Sequence, residues 1–141
     1  MDTIEQNKQI ARRFLELVSE HNVEALCALV APTWTMHGGP PNLPAGPDGV
    51  RILFSTFGQI EQTWTIEDVI AEGNTVVVRA TNTVVQDSFL GIDARGKRQV
   101  FTAMFMHHIM DGKVQETYRN ADDLGRVLQL GARLVQEPSS A

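Results

Sequence analysis

Apolar side chains near the start of the chain fall at Ile10, Phe14, Leu17 and Val18, in steps of four, three and one. Glu5, Gln9, Arg12, Arg13 and Glu16 hold the positions between them. That spacing is one face of a helix and predicts an α element over residues 3–20. His21-Asn22 interrupts the pattern, and a shorter helix follows through Leu26 to Val30. Pro32 ends it, because the residue before a proline is pushed out of the α region. Residues 34–37 then read as a short strand. Residues 38–48 are crowded with proline and glycine, a loop long enough to act as a lid or mouth wall. Pro47 suits the first turn of a helix carrying Phe54 and Phe57 on one side, over residues 50–57.

Beyond that helix the period changes from 3.6 to 2. Residues 64–71 form one strand, Glu72-Gly73-Asn74 a turn, and residues 75–85 a long β-branched return strand. A loop at 91–96 leads into a third long strand, 99–110. Asp111-Gly112 is a hairpin turn pair, and a fourth strand covers 114–120. The chain closes with a helix to about residue 134, whose apolar face is Leu124, Val127 and Leu128. Residues 137–141 are polar and expected to fray. The order of helices, a meander of long antiparallel strands and a last helix reads as α+β. A strand as long as 75–85 must curl, so helices can fill its concave side and leave a pocket between the layers. One domain is expected over residues 1–136, with 137–141 as a disordered tail.

Composition narrows the partners. A formal net charge of −5 argues against a sequence-independent nucleic-acid binder, which shows a basic face, and gives no help to membrane-surface binding. No apolar run approaches the roughly 20 residues that span a bilayer. The opening Met-Asp-Thr-Ile-Glu lacks the basic-then-apolar order of a secretory signal. Cys27 has no partner in the chain and lies in an apolar helical pattern, as expected of a buried thiol in a reducing compartment. The cytoplasm is the expected location.

The stretch 116–131, ETYRNADDLGRVLQLG, switches period within itself. Glu116, Tyr118, Asn120 and Asp122 alternate along one side of a strand, and the helix begins at the Asp122-Asp123 pair. One carboxylate suffices to cap that helix; the other is free for chemistry. His107 and His108 are adjacent, so a strand sends them to opposite faces. Parity with Phe105 places His107 inward. Two adjacent strand histidines cannot share an ion, and no metal-ligand spacing is evident. His37, just before the Pro/Gly loop, is a candidate for the pocket mouth, and Trp34, Phe54, Phe57 and Phe105 for core or pocket wall. Met104, Met106 and Met110 share the face opposite His107, where another subunit could cover them. Arg79 sits mid-strand among β-branched residues. No Gly-x-Ser-x-Gly elbow, phosphate cradle or dinucleotide fingerprint is present.

With these motifs in place the chain resembles the SnoaL-like polyketide cyclase family of the NTF2-like superfamily. The matching pieces run in order. They are the N-terminal helix, Gly46-Pro47-Asp48-Gly49-Val50, the Ile66–Gly73 segment IEDVIAEG, the Gly91–Lys97 loop GIDARGK, Asp111-Gly112-Lys113-Val114, and Leu124–Gly131, LGRVLQLG. The resemblance implies a cone-shaped α+β barrel, with a curved antiparallel sheet wrapped round N-terminal helices and a short C-terminal helix. It also implies a homodimer or homotetramer, a small hydrophobic substrate, and no metal or organic cofactor.

The family's cyclases perform an intramolecular aldol condensation with one aspartate as acid/base. Its position, six residues after the acid that opens the last strand and two before Leu-Gly, is Asp122 here. Tyr118 and Asn120 would then donate hydrogen bonds to a substrate oxygen. The Gln and His that support the cyclase aspartate correspond to Ala103 and Phe105, so His107 is the remaining candidate for a catalytic partner. The expected function is acid/base catalysis on a hydrophobic carbonyl compound, by aldol condensation or isomerisation. Two alternatives stand beside it. One is epoxide hydrolysis by an Asp-Arg-Asp relay through Arg79; the other is a non-catalytic ligand-binding or dimerisation module.

Overall fold

A computed structural model describes residues 2–139. Helix α1 (Thr3–Glu20) opens on Asp2, whose carboxylate accepts the Glu5 N–H at 2.8 Å. It ends at His21 in the left-handed conformation, φ 56°. Its apolar stripe buries Phe14, Leu15, Leu17 and Val18. Helix α2 (Val23–Leu29) is capped by Asn22 and runs directly into β1 (Val30–His37). Pro32 therefore lies inside a strand, not at a helix end. It is tolerated because β1 is an edge strand, where a missing N–H removes no essential ladder bond.

Helix α3 (Pro47–Ser55) starts on the expected proline. The long strands follow as β2 (Ile60–Glu72) and β3 (Thr75–Gln86). A small hairpin, β4 (Ser88–Phe89) with β5 (Ile92–Asp93), occupies the region of the expected loop. Strands β6 (Gln99–Met110) and β7 (Lys113–Ala121) and helix α4 (Asp123–Gln129) complete the chain.

The main sheet has the order β1-β7-β6-β3-β2 and is open at both edges. It is mixed, not wholly antiparallel, because β1 runs parallel to β7. A strand reached through a long connection need not reverse direction as hairpin partners must. Helices α1, α2 and α3 cover its concave side, and the core between them holds Phe14, Leu26, Trp34, Val50, Val76, Val78, Phe105 and Ile109. The inward face of β6 is Gln99, Phe101, Ala103, Phe105, His107 and Ile109, in strict alternation with exposed or half-exposed neighbours.

One irregularity decides which residues of β7 face inward. The β6–β7 hairpin begins in register, Met110 with Lys113 and Ile109 with Val114, then shifts by one residue. Gln115 is left unopposed, and His108 pairs with Glu116, His107 with Thr117 and Phe105 with Arg119. A bulge of one residue exchanges the two faces of every position beyond it. Thr117 and Arg119 consequently point to the concave side, and Glu116, Tyr118 and Asn120 to the convex side.

Helix α4 also presents an unexpected face. Arg126 is its buried residue, whereas Leu124 and Leu128 are about half exposed. The Gln129 side chain pins the helix to the sheet, accepting the Val100 N–H at 2.9 Å and donating to the Val100 carbonyl at 2.8 Å. The helix stops at Gln129, short of residue 134, because Gly131 takes a left-handed φ of 91°. Residues 137–139 are exposed and without regular structure. The last two residues of the expected tail, 140 and 141, lie outside the described residues.

Candidate active site

Between the helices and the concave sheet lies a cavity of about 450 Å³, within the range of small-molecule sites. Its body is apolar. Phe14, Leu15 and Val18 come from α1, Leu53 from α3 and Phe57 from just beyond it, and Trp64, Phe101 and Phe105 from the sheet. The Trp64 ring stands edge-on to Phe101 and Phe105, with centroids 5.5 and 5.2 Å apart. Residues 38–41 of the Pro/Gly loop form part of the rim. Gly38, at φ 85°, is required there, since any Cβ would collide with the Arg119 carbonyl.

The polar end is built by β7 and α4. Arg119 donates two parallel hydrogen bonds to Asp123, Nη1 to Oδ2 at 2.8 Å and Nη2 to Oδ1 at 2.9 Å. Arg119 Nη1 also donates to the Gly38 carbonyl at 3.0 Å, tying the rim to the same group. The Arg119 side chain is 14% exposed and that of Asp123 35%, so the carboxylate is held yet reachable. Beside them Arg126 is buried, its guanidinium 3.6 Å from the Phe89 ring centroid and 4.6 Å from that of Phe101. It donates to the side-chain oxygens of Gln99 and Gln86. Burial pulls its pKa down to about 10, so it remains a cation at neutral pH.

The two acids of the sequence pair divide their work in the opposite sense to the expectation. Asp122 is the helix cap: it is exposed, and its Oδ1 accepts the Gly125 N–H at 2.9 Å. Asp123 lines the cavity. The cap needs a residue outside the helix whose side chain folds back onto the first turn, and Asp122 holds that place. A Cβ at position 125 would strike the Asp122 carboxylate, so the glycine leaves room for the cap.

His107 faces inward, as parity with Phe105 indicates, but does not line the cavity; Phe14 and Phe105, whose rings pack on it, do. It is fully buried, and desolvation lowers its pKa to about 4, leaving it neutral. The Trp34 Nε1–H donates to Thr117 Oγ1 at 3.0 Å, and Thr117 Oγ1 lies 2.8 Å from His107 Nδ1. The threonine oxygen can donate to His107 Nδ1 or accept from it, according to the ring tautomer. His107 Nε2 has no hydrogen-bond partner.

Of the remaining expected contacts, Phe57 and Phe105 line the cavity. Trp34 is fully buried in the core, and Phe54 packs against His21 and Phe57 away from the cavity wall. The bulge carries Tyr118 and Asn120 to the convex face. His37 is exposed on that face too, stacked on Tyr118 at 4.4 Å and 3.5 Å from Glu116. Arg79 is likewise outward, paired with Asp68 at 2.7 Å, which removes it from any relay in the cavity. Cys27 is buried with its thiol directed at the Pro47 carbonyl, and burial raises its pKa. Sequence reasoning passed over Arg119 and Arg126, and chose Asp122 over Asp123. Arg119 lies on β7 and only Asp123 and Arg126 share α4, three residues apart on one helix face, so no single period could have found the three together.

A curved sheet packed on helices, enclosing an apolar cavity with a charged end, defines an α+β cone fold. Family comparison makes the assignment narrower. Residues 11–117 match the SnoaL-like domain, and the chain belongs to that family. Among solved structures it is similar to TsrD from Streptomyces laurentii, at 26% identity and TM-score 0.80, covering 94% of this chain and 99% of that one. A candidate polyketide cyclase from Bacillus cereus aligns at 25% identity and TM-score 0.72, over 89% and 80% of the two chains. An LEH-like epoxide hydrolase from M. tuberculosis shares the fold at 15% identity and TM-score 0.74, over 92% of each chain. No curated protein matches the chain in sequence.

Proposed function

We propose that the chain is an acid/base enzyme of the SnoaL-like type. It moves a proton next to the carbonyl of a hydrophobic compound, in an aldol-type ring closure or an isomerisation. Asp123 takes the role that the family position suggests for Asp122. Its carboxylate removes the proton α to the carbonyl, and the enolate charge develops beside the Arg119 guanidinium; protonated Asp123 then returns the proton to the carbon or, after that carbon has attacked a second carbonyl, to the new alkoxide oxygen. A fixed donor or cation facing a developing oxyanion is an effective stabiliser in a water-poor cavity. His107, neutral and behind Phe14 and Phe105, positions the wall and moves no proton. Each route is proton transfer, with one carbon–carbon bond formed in the ring closure and no net oxidation or reduction, and calls for no cofactor.

One observation carries this reading. Asp123 is the one carboxylate among the described residues lining the cavity, and two hydrogen bonds from Arg119 fix its orientation. The same count weighs against an Asp-Arg-Asp epoxide relay, which needs a second acid. Proton–deuterium exchange α to the carbonyl of 1-tetralone, followed by NMR, tests it. The wild type should exchange faster than buffer, and Asp123→Asn should lose about 10²–10⁴-fold of that acceleration. Full exchange in the variant would refute the assignment.

The reading extends to a homodimer formed by residues 1–136 as one domain. Val100, Met104, Met110, Leu124 and Leu128 are each about half exposed on β6 and α4, more apolar surface than an isolated domain needs. The described helices include none long and apolar enough to cross a membrane. A free, buried Cys27 fits a reducing compartment such as the cytoplasm.

A further inference from the structure

The charges on the cavity do not balance. Arg119 and Arg126 bring two guanidiniums to one end of it, and Asp123 one carboxylate, in a chain whose formal net charge is −5. Each oxygen of Asp123 accepts one hydrogen bond from Arg119 and keeps a second lone pair. Arg126 is only 6% exposed, yet among the described residues no carboxylate stands within ion-pairing distance of it.

Its partners are neutral. Nε donates to Gln99 Oε1 at 3.4 Å and Nη2 to Gln86 Oε1, while Phe89 and Phe101 supply ring faces. No acceptor among the described residues takes Nη1. Asp123 acts on Arg126 only from beyond ion-pairing distance and is opposed there by Arg119; burying a cation without a paired counter-charge is costly, and amide dipoles and ring quadrupoles offset only part of that cost. Desolvation does not discharge it, since its pKa of about 10 leaves it ionised at neutral pH. A planar, always-charged donor with a free edge on a cavity wall is suited to an anion, above all to a carboxylate.

We infer that the substrate of this cavity is a hydrophobic oxo-acid, whose carboxylate binds the free edge of Arg126 while its apolar body lies against Phe14, Leu53, Trp64 and Phe105. This deepens the proposed function and rests on the same cavity being the substrate site. Arg119 lies between that anion and Asp123 in charge terms: by pairing with Asp123 it lets a second carboxylate enter without facing a bare one. The apolar wall selects the body of the ligand, and Arg126 its charge.

The test is equilibrium binding of 2-naphthoate and of its methyl ester to the full chain, by calorimetry and by Trp64 fluorescence. The acid should bind at least about tenfold more tightly than the ester, the worth of one charge-assisted contact. Arg126→Met should abolish that preference while leaving the affinity for the ester within about threefold, and Arg126→Lys should restore part of it. A purely structural Arg126 would instead weaken acid and ester together. Equal affinity of the two ligands for the wild type, a preference that survives Arg126→Met, or no binding of naphthoate at millimolar concentration would each overturn the inference. If Arg126→Met does not fold, the wild-type ratio alone decides. Binding involves no proton transfer, so the inference about Arg126 and the assignment of Asp123 can fail separately.

Discussion

Strands β6 and β7 carry charged and titratable groups on both faces, and the two faces treat them differently. On the concave side His107, Thr117, Arg119 and, beyond the strand end, Asp123 are held in a dry or half-dry space by one or two fixed partners each. On the convex side His37, His108, Glu116 and Tyr118 form a looser set. Glu116 is 3.5 Å from His37 and 3.6 Å from His108, and these side chains are 50, 43 and 30% exposed for His37, His108 and Glu116. A hydrogen bond from Tyr118, aided by the histidines, holds Glu116 below the usual carboxylate range and raises Tyr118. The adjacent histidines make the contrast plain: burial drives His107 to about 4, while His108 meets its acid in solvent. Residue type alone does not make a site here; the dielectric and the rigidity of the partners do.

The largest effect separating the faces lies in the pH dependence of stability. The pKa of His107 is depressed to about 4 in the folded state, against an ordinary value of 6.5. Between those values the unfolded chain binds the proton more readily, so stability is complete above pH 6.5 and falls as pH drops towards 4. The shift corresponds to about 3 kcal/mol. His107→Gln should flatten this part of the denaturant-derived stability profile. An unchanged slope in the His107 variant would show that the burial does not govern its titration.

A smaller effect is expected one position away. Thr117→Val removes the hydroxyl that joins the Trp34 indole to His107. It leaves the buried Trp34 indole N–H and His107 Nδ1 without partners, at a cost of about 1–3 kcal/mol in denaturant unfolding. Valine preserves the volume, so a loss of stability reports the hydrogen bonds and not a cavity. The smallest effect is on the convex face, where Glu116→Gln should leave the unfolding midpoint and 2-naphthoate binding unchanged within error. Loss of ligand binding there would break the division between the faces.

Most of the fold was legible in the sequence because the hydrophobic period changes from 3.6 to 2 where the elements change. The limits of α1 and β6 and the Asp111-Gly112 turn follow from local patterning. The face of β7 was not legible. It depends on one unopposed residue, Gln115, and a bulge is a property of the paired strands and not of either sequence alone. That single shift carried Tyr118 and Asn120 to the convex face and brought Arg119 in. Helix α4 misled for a related reason: Leu124, Val127 and Leu128 have the spacing of a buried stripe, but Gln129 and Arg126 dock the helix by another side. The Asp122-Asp123 pair was legible as one cap and one spare acid. Which was which depended on the helix starting at Asp123, a boundary that periodicity places only to within a residue or two.

That distinction is the centre of the account, and α-proton exchange of 1-tetralone by two variants tests it most directly. Asp122→Asn should exchange within a few-fold of wild type, since asparagine also caps a helix. Asp123→Asn should lose about 10²–10⁴-fold. Loss of exchange in Asp122→Asn, with Asp123→Asn active, would contradict the account and return the catalytic role to the cap residue.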